Sequence, residues 1–505
     1  MNRSEQLESL ATDTLWDIII IGGGATGVGT ALDAATRGYK TLLLEGHDFA
    51  KGTSSRSTKL VHGGVRYLEQ GNIKLVREAL RERGYLLKNA PHLTSIQTFI
   101  VPVFSWLEKM FYGLGLRFYD LLSGKLSLGN TQILSKKETV AHLPTINAEK
   151  LSGGILYFDG QFDDSHLAIE IAATAIQKGA TVINYCKAAG FIKTNGKITG
   201  VECIDALTEK KYALKTKVVV NATGVFTNAI VQMDDHLQHD LVSPSQGIHL
   251  VIDAKFFPGI DAMMIPKTDD GRVLFAVPWH DKVVLGTTDT PIELISFEPK
   301  PLEEEIEFII KHINRYCTVL ITRADINSVY VGLRPLVKQK SKGSTALISR
   351  EHHLSVSSSG LITITGGKWT TYRKMAADAV DNAAFIGKFN KENCITAHTP
   401  IGNEQEKEKR MNEILIKDTT LEELVDPKYT FTKAQIVYAV KYEMAMGIED
   451  ILARRIRLLF LDAKLAISVA PMVASIIAPY LQKDKNWEAA ELKSFTQLAE
   501  QYILQ

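Results

Sequence analysis

The chain is poor in cysteine: four in 505 residues (Cys186, Cys203, Cys317 and Cys394), with no C-x-x-C pair. That excludes a disulfide framework and a cysteine zinc site, and fits reduced thiols in a cytosolic setting. Charge of one sign is also lacking, with 58 Lys+Arg against 57 Asp+Glu and a net charge of +1. A neutral total exerts no global pull on nucleic acid, so no nucleic-acid partner is expected and any anion site must be local. Long hydrophobic runs are missing too. No uncharged apolar run reaches the roughly 18–20 residues of a spanning helix. The nearest, residues 465–481, contains Pro471 and Pro479 and reads as a buried helix. Residues 1–14 are polar, with Glu5, Glu8 and Asp13, and lack the basic and apolar regions of a signal peptide. There is no G-x-S-x-G elbow, H-E-x-x-H pair, Walker A loop or EF-hand pattern, and His352-His353 has no carboxylate at ligand spacing, so no metal is expected.

What is present is enough apolar material for sizeable cores: 45% apolar against 23% charged residues. The length suggests about two to four domains. Residues 16–21 read as a short apolar strand, 25–37 as a helix, and 39–44 as a second strand, which together make a βαβ unit. Further strands are expected at 180–185, 198–203, 217–221, 247–252, 272–277, 282–285 and 361–365. Beyond about residue 397 the pattern turns helical, with helices expected at 433–446, 448–460, 464–481 and 489–503. The expected fold class is α/β: a Rossmann-type dinucleotide domain interleaved with a mixed-sheet substrate domain, plus an all-α C-terminal domain.

Gly22-Gly23-Gly24-Ala25-Thr26-Gly27 fits G-x-G-x-x-G, and Glu45 ends the second strand 18 residues after Gly27. In this context the motif is specific. Gly22 permits the tight turn, Gly24 lets the backbone approach a pyrophosphate, and Gly27 lets helix and strand pack closely. The helix N-terminus offers free N–H groups to the diphosphate. Glu45 can accept the ribose hydroxyls and would repel a 2′-phosphate, which argues against NADP.

FAD and NAD share this motif, and other segments help to choose. Residues 53–59, Thr-Ser-Ser-Arg-Ser-Thr-Lys, offer hydroxyls that suit more diphosphate or a ribityl chain, with Thr53, Ser54, Ser55 and Lys59 as candidates. His62-Gly63-Gly64 would let backbone approach a flat ring. The turns at Ala222-Thr223-Gly224 and at Gly366-Gly367-Lys368, the latter leading to Thr370, complete the candidate cofactor set.

Residues 99–128 intersperse Phe99, Trp106, Met110, Phe111, Leu114, Phe118 and Leu121 with Lys109, Arg117 and Lys125. Two readings stand side by side. One is an amphipathic helix lying in lipid headgroups; the other is an aromatic-rich core.

Together these motifs resemble the FAD-dependent glycerol-3-phosphate dehydrogenase family, among the D-amino-acid-oxidase-like flavoproteins. The resemblance runs in family order through residues 22–27, 53–69, 157–164, 221–224, 286–289, 332–336, 349–351 and 366–373, and continues at 442–445 and 450–455. His-Gly-Gly-x-Arg-Tyr and Gly-Gly-Lys-x-Thr-Thr-Tyr are its most specific parts. It implies an FAD-binding domain at 15–95, 151–240 and 351–395, and a membrane-surface helical segment at 96–150. It also implies a substrate-binding β-rich domain at 241–350 and a helical domain at 396–505. The implied activity is oxidation of sn-glycerol 3-phosphate to dihydroxyacetone phosphate, with FAD reduced and then reoxidised by a membrane quinone. The implied location is cytoplasmic, attached peripherally to the inner face of the cell membrane. A homodimer is left open as the assembly. A glycerol-3-phosphate oxidase using O₂, an amino-acid or sarcosine-type oxidase, and a flavin-binding scaffold without turnover are the competing readings.

A phosphate dianion calls for guanidinium groups, which can bind it bidentately. The resemblance implies that Arg334 and Arg350 hold the phosphate, with Arg66 and Lys368 nearer the reacting hydroxyl and the flavin. Removing the hydroxyl proton calls for a base, and His is the first choice. His249 and His62 both qualify. His249 is preferred as base, while His62 suits a place beside the flavin. Tyr67, Asp289 and Tyr372 could orient these groups.

Overall fold

The computed structural model describes residues 1–65, 68, 71–237, 240–338 and 352–504. The strand Leu15–Ile21 reads LWDIIII, and its last four residues are buried. A continuous β-branched apolar run suits a strand covered on both faces. It pairs in parallel with Thr41–Leu44 on one side and Lys211–Asn221 on the other. Leu361–Gly366 and Thr181–Ile183 extend the parallel core outwards. The helix Ala25–Thr36 covers this sheet, wedged between helices Asp164–Gln177 and Tyr372–Gly387. A Cβ at Gly29 would come within 2.7 Å of the Tyr372 ring, so the close approach of the two helices at this point requires glycine.

The second sheet has ten strands of mixed direction. Val242–Asp253 lies in it between antiparallel neighbours Ile326–Val337 and Lys282–Gly286. Its remote half departs from the expected boundaries. Thr94–Val103 and Gly153–Phe162 pair with each other and join this sheet through Ala262–Ile265. The segment 96–150, expected as helical and surface-bound, therefore begins as a strand, with Phe99, Val101 and Val103 buried. Pro102 disfavours helix there, and apolar residues on both strand faces suppress the alternation that marks a half-exposed strand.

The C-terminal region is helical, as expected, over Glu404–Lys417, Lys433–Tyr442, Leu458–Leu461, Ala463–Tyr480 and Lys485–Ala499. The expected helix 448–460 is instead a π-helical turn, Asp450–Arg455, followed by a break at Arg457 with φ +63°. The turn holds Arg454 and Arg455 against Asp48 of the dinucleotide domain. Among the described residues Ala463–Tyr480 is the one helix long and apolar enough to cross a membrane. Its face of Ala466, Val469, Ala470, Val473 and Ile477 packs into the C-terminal core.

Candidate active site

A cavity of ≈740 Å³ lies where the two sheets meet, beyond Ile21, Leu44, Ala222 and Ile364 at the ends of the parallel strands. Ligands in open α/β sheets bind in this position. The first turn is shaped by steric necessity. Gly22 has φ +111°, and a Cβ there would lie 2.7 Å from Ala222 O. A Cβ at Gly27 would lie 1.8 Å from Gly22 O. Gly24 lines the cavity with bare backbone, and Ala25 N–H at the helix start donates to Ser54 Oγ at 2.9 Å. Glu45 also lines the cavity; Gly23 N–H donates to its Oε2 at 2.5 Å and His47 N–H to its Oε1 at 2.8 Å. Burial pushes its carboxyl above the usual range against those two bonds. On the far wall Gly224, Gly366 and Gly367 all have positive φ, and Ala222, Lys368 and Thr370 stand beside them. Open glycine backbone at a helix N-terminus, a cavity-lining carboxylate at Glu45 and a glycine-rich far wall fit a flavin dinucleotide.

The loop 53–64 serves more than one purpose. Thr53, Ser54, His62 and Gly64 line the cavity. Ser55 is buried behind it, its hydroxyl directed to Gly52 O at 3.5 Å. Lys59, expected at the cofactor, does something else. Its fully buried ammonium donates to Ser55 O at 2.7 Å and to both oxygens of Asp164 at 2.8 and 3.0 Å. Burial and the neighbouring Arg457 pull it down to about 7. A lysine five residues before the end of a loop of hydroxyls and glycines looks like a ligand in sequence, but here Asp164 has claimed it from inside the fold. Gly63 differs as well. A Cβ there would come within 2.4 Å of Leu80 and of the Tyr119 hydroxyl, so its reason is packing behind the cavity wall.

The substrate-domain side brings His249, Arg334 and Asp289 to the cavity that Lys368 also lines. His249 Nε2 and Thr58 Oγ1 are 2.8 Å apart, and the imidazole stacks on Tyr330 with centroids 4.7 Å apart. Burial, reinforced by Lys59 and Arg334, holds it well below the ordinary 6.5, so it is neutral and able to accept a proton. Arg334 donates to Thr288 O at 2.8 Å, Thr287 Oγ1 at 3.1 Å, and Gln246 O and Asp289 Oδ1 at 3.2 Å. The expectations for Arg66, Tyr67 and Arg350 lie outside the described residues.

Several contributors had no signal in the sequence. Thr58 and Tyr330 orient His249, and only their placement reveals it. The C-terminal domain clamps the loop after Glu45 from behind. Arg454 and Arg455 reach Asp48 at 2.6 and 2.5 Å, Arg457 reaches Ser55 O and Asp164 at 2.9 Å, and Lys51 meets Glu449 at 2.7 Å. The Arg454-Arg455 pair was visible as a motif, but its partner lies some 400 positions away in sequence.

The aromatic–basic stretch resolves into the helix Trp106–Ser123, capped by Ser105. Leu116 and Tyr119 are buried, while Trp106, Leu107, Phe111, Leu114 and Leu121 are each at least 61% exposed. That is a continuous apolar stripe on the outer face.

A glycine-framed dinucleotide cradle opening onto a mixed second sheet defines an FAD-dependent oxidoreductase. Residues 17–373 match the family described as FAD dependent oxidoreductase, and 404–488 match the C-terminal domain of alpha-glycerophosphate oxidase. The mitochondrial glycerol-3-phosphate dehydrogenase of Homo sapiens is 35% identical, over 99% of this chain and 75% of its own length. The probable mitochondrial enzyme of Dictyostelium discoideum is 37% identical, over 98% and 85%. The glycerol-3-phosphate dehydrogenase of Bacillus halodurans, solved with FAD, superposes with a TM-score of 0.79 at 29% identity, covering 99% of this chain and 98% of that one. The chain belongs to the FAD-dependent glycerol-3-phosphate dehydrogenase family, and FAD is its cofactor.

Proposed function

We propose that this chain oxidises sn-glycerol 3-phosphate to dihydroxyacetone phosphate and passes the electrons to a membrane quinone. The observation that carries the reading is the convergence of His249, Arg334 and Lys368 on the cavity that holds the dinucleotide cradle. Bound FAD supplies the two-electron acceptor. The chain supplies everything else. Arg334 pairs its guanidinium charge with the phosphate, its plane fixed by the backbone carbonyls of Gln246 and Thr288. His249 takes the proton of the C2 hydroxyl. Lys368 and Arg66 stabilise charge building on the C2 oxygen, and Arg350 shares the phosphate with Arg334. His62 and Gly64 form the wall beside the flavin.

Anaerobic addition of glycerol 3-phosphate should bleach the yellow protein, while glycerol, glycine and D-alanine should not. A loaded protein that stays yellow refutes the activity. The exposed stripe on Trp106–Ser123, flanked by Lys109 and Arg117, supports peripheral attachment at the inner face of the cell membrane. Charge reversal at Lys109 and Arg117 should move the protein from anionic liposomes to the supernatant; unchanged sedimentation refutes the attachment. The match of residues 404–488 to an oxidase domain favours a second reading, in which O₂ is the acceptor. Rapid peroxide formation without quinone or dye would decide for it.

A further inference from the structure

A buried polar chain that the reaction does not use runs back from the cavity lining at Asp159. Gly63 N–H donates to the Tyr119 hydroxyl at 2.8 Å, and that hydroxyl donates to Asp159 Oδ2 at 2.8 Å. Asp159 Oδ1 accepts from Arg83 Nη1 at 2.8 Å and from Gly160 N–H at 3.2 Å. Arg83 also donates to Ser123 Oγ at 3.3 Å and Leu126 O at 3.4 Å, at the end of the apolar-striped helix. Tyr119, Arg83 and Asp159 are each at most 2% exposed. Buried groups of this kind are costly unless paired, and this chain of bonds pairs all of them except Arg83 Nε. Its terminus is the backbone of Gly63, between the two cavity-lining residues His62 and Gly64. Space fixes the same contact: no side chain fits at Gly63 because Tyr119 and Leu80 already fill its position.

We propose that Tyr119 is a positioning residue for the flavin: its hydroxyl anchors the Gly63 amide to the Asp159–Arg83 pair and so sets where His62 and Gly64 meet the ring. The helix Trp106–Ser123 thereby has two faces with separate tasks, an apolar one outside and a hydroxyl inside that holds the cofactor loop. The inference rests on the flavin ring lying beside His62–Gly64. Tyr119 touches neither substrate nor cofactor and acts only through the loop.

The Tyr119→Phe variant removes one oxygen and keeps the ring. Losing a bond to an ionic chain should weaken FAD binding about tenfold, measured by titrating the apoprotein by flavin fluorescence. The visible circular dichroism of the bound flavin should change. At saturating FAD, the KM for glycerol 3-phosphate should change less than about twofold, because the phosphate end is untouched. A purely structural tyrosine would lower the melting temperature and leave FAD affinity and the flavin dichroism unchanged, and that result overturns the proposal. If Tyr119→Phe does not fold, Ser123→Ala is titrated instead, since it loosens Arg83 on the same chain. A roughly twofold weaker FAD binding supports the proposal, and wild-type binding overturns it. Failure of glycerol 3-phosphate to bleach the wild-type protein would refute the proposed activity while leaving the FAD titrations readable.

Discussion

Arg334 offers the most direct test of the substrate assignment. Its guanidinium is already oriented: four acceptors, two of them backbone carbonyls, hold it from the protein side. Because these acceptors engage all four terminal N–H groups, a phosphate would share those bonds or pair with the guanidinium's charge, at little further ordering cost. A charge-assisted bond to a phosphate contributes about 1.5–3 kcal/mol. At about 1.36 kcal/mol per decade, Arg334→Ala should lower kcat/KM for glycerol 3-phosphate about 10- to 150-fold, chiefly through KM. The truncation has a side effect. Asp289, whose side chain is only 9% exposed, would lose its ion-pair partner. Taking away the guanidinium that a near-buried carboxylate pairs with is itself destabilising. The Arg334→Ala/Asp289→Ala double variant removes that complication. The assay is anaerobic dye reduction with glycerol 3-phosphate and with glycerol, which has no phosphate. The reasoning requires the loss to be large for the phosphate ester and small for glycerol. Equal losses for both would show that Arg334 supports the fold of the site and does not bind phosphate.

Gly27→Ala should give colourless protein, because its Cβ would sit 1.8 Å from a backbone oxygen of the cradle turn; absorbance near the flavin bands of the purified variant checks this. His249→Gln should lower kcat by about two to four orders of magnitude with FAD still bound, read by stopped-flow bleaching. The imidazole of His249 is held below its unfolded value of 6.5. The unfolded chain therefore binds more protons on acidification, so this contribution to stability is complete above pH 6.5 and declines as pH falls below it. The kcat/KM profile should accordingly show no acid limb at 6.5, only one displaced to lower pH; a limb at 6.5 would contradict a buried neutral base. Arg455→Met leaves Asp48 with one of its two arginines and should cost less than the about 3–5 kcal/mol of a wholly uncompensated buried charge, still visible as a lower melting temperature. An unchanged melting temperature would mean that the C-terminal clamp contributes nothing to stability.

The apolar-striped helix shows how sequence and structure divided the information. Composition marked residues 99–128 as unusual, but a mixture of aromatics and cations does not separate a surface helix from a core. The fold separated them: Phe99 went into a strand, Tyr119 turned inward to a hydroxyl network, and Trp106, Leu107 and Phe111 stayed outside. The same holds in the 53–59 run. Its hydroxyls read as one ligand-binding group, yet Ser54 faces the cradle, Ser55 lies behind it, and Lys59 is held by Asp164.

The sequence by itself determined what depends on local geometry: the βαβ unit, the glycine turn, Glu45 at the strand end, and the helical C-terminal fifth. Each of these follows from contacts spanning a few dozen residues, where periodicity and φ requirements act directly. The tertiary structure alone decided what depends on pairing distant segments. It paired Thr94–Val103 with Gly153–Phe162, brought Thr58 to His249, and closed Arg454 and Arg455 onto Asp48. Such partners share no spacing that a sequence can display. Burial selects them, because an ion or a polar hydrogen removed from water must find its partner wherever the fold has placed one.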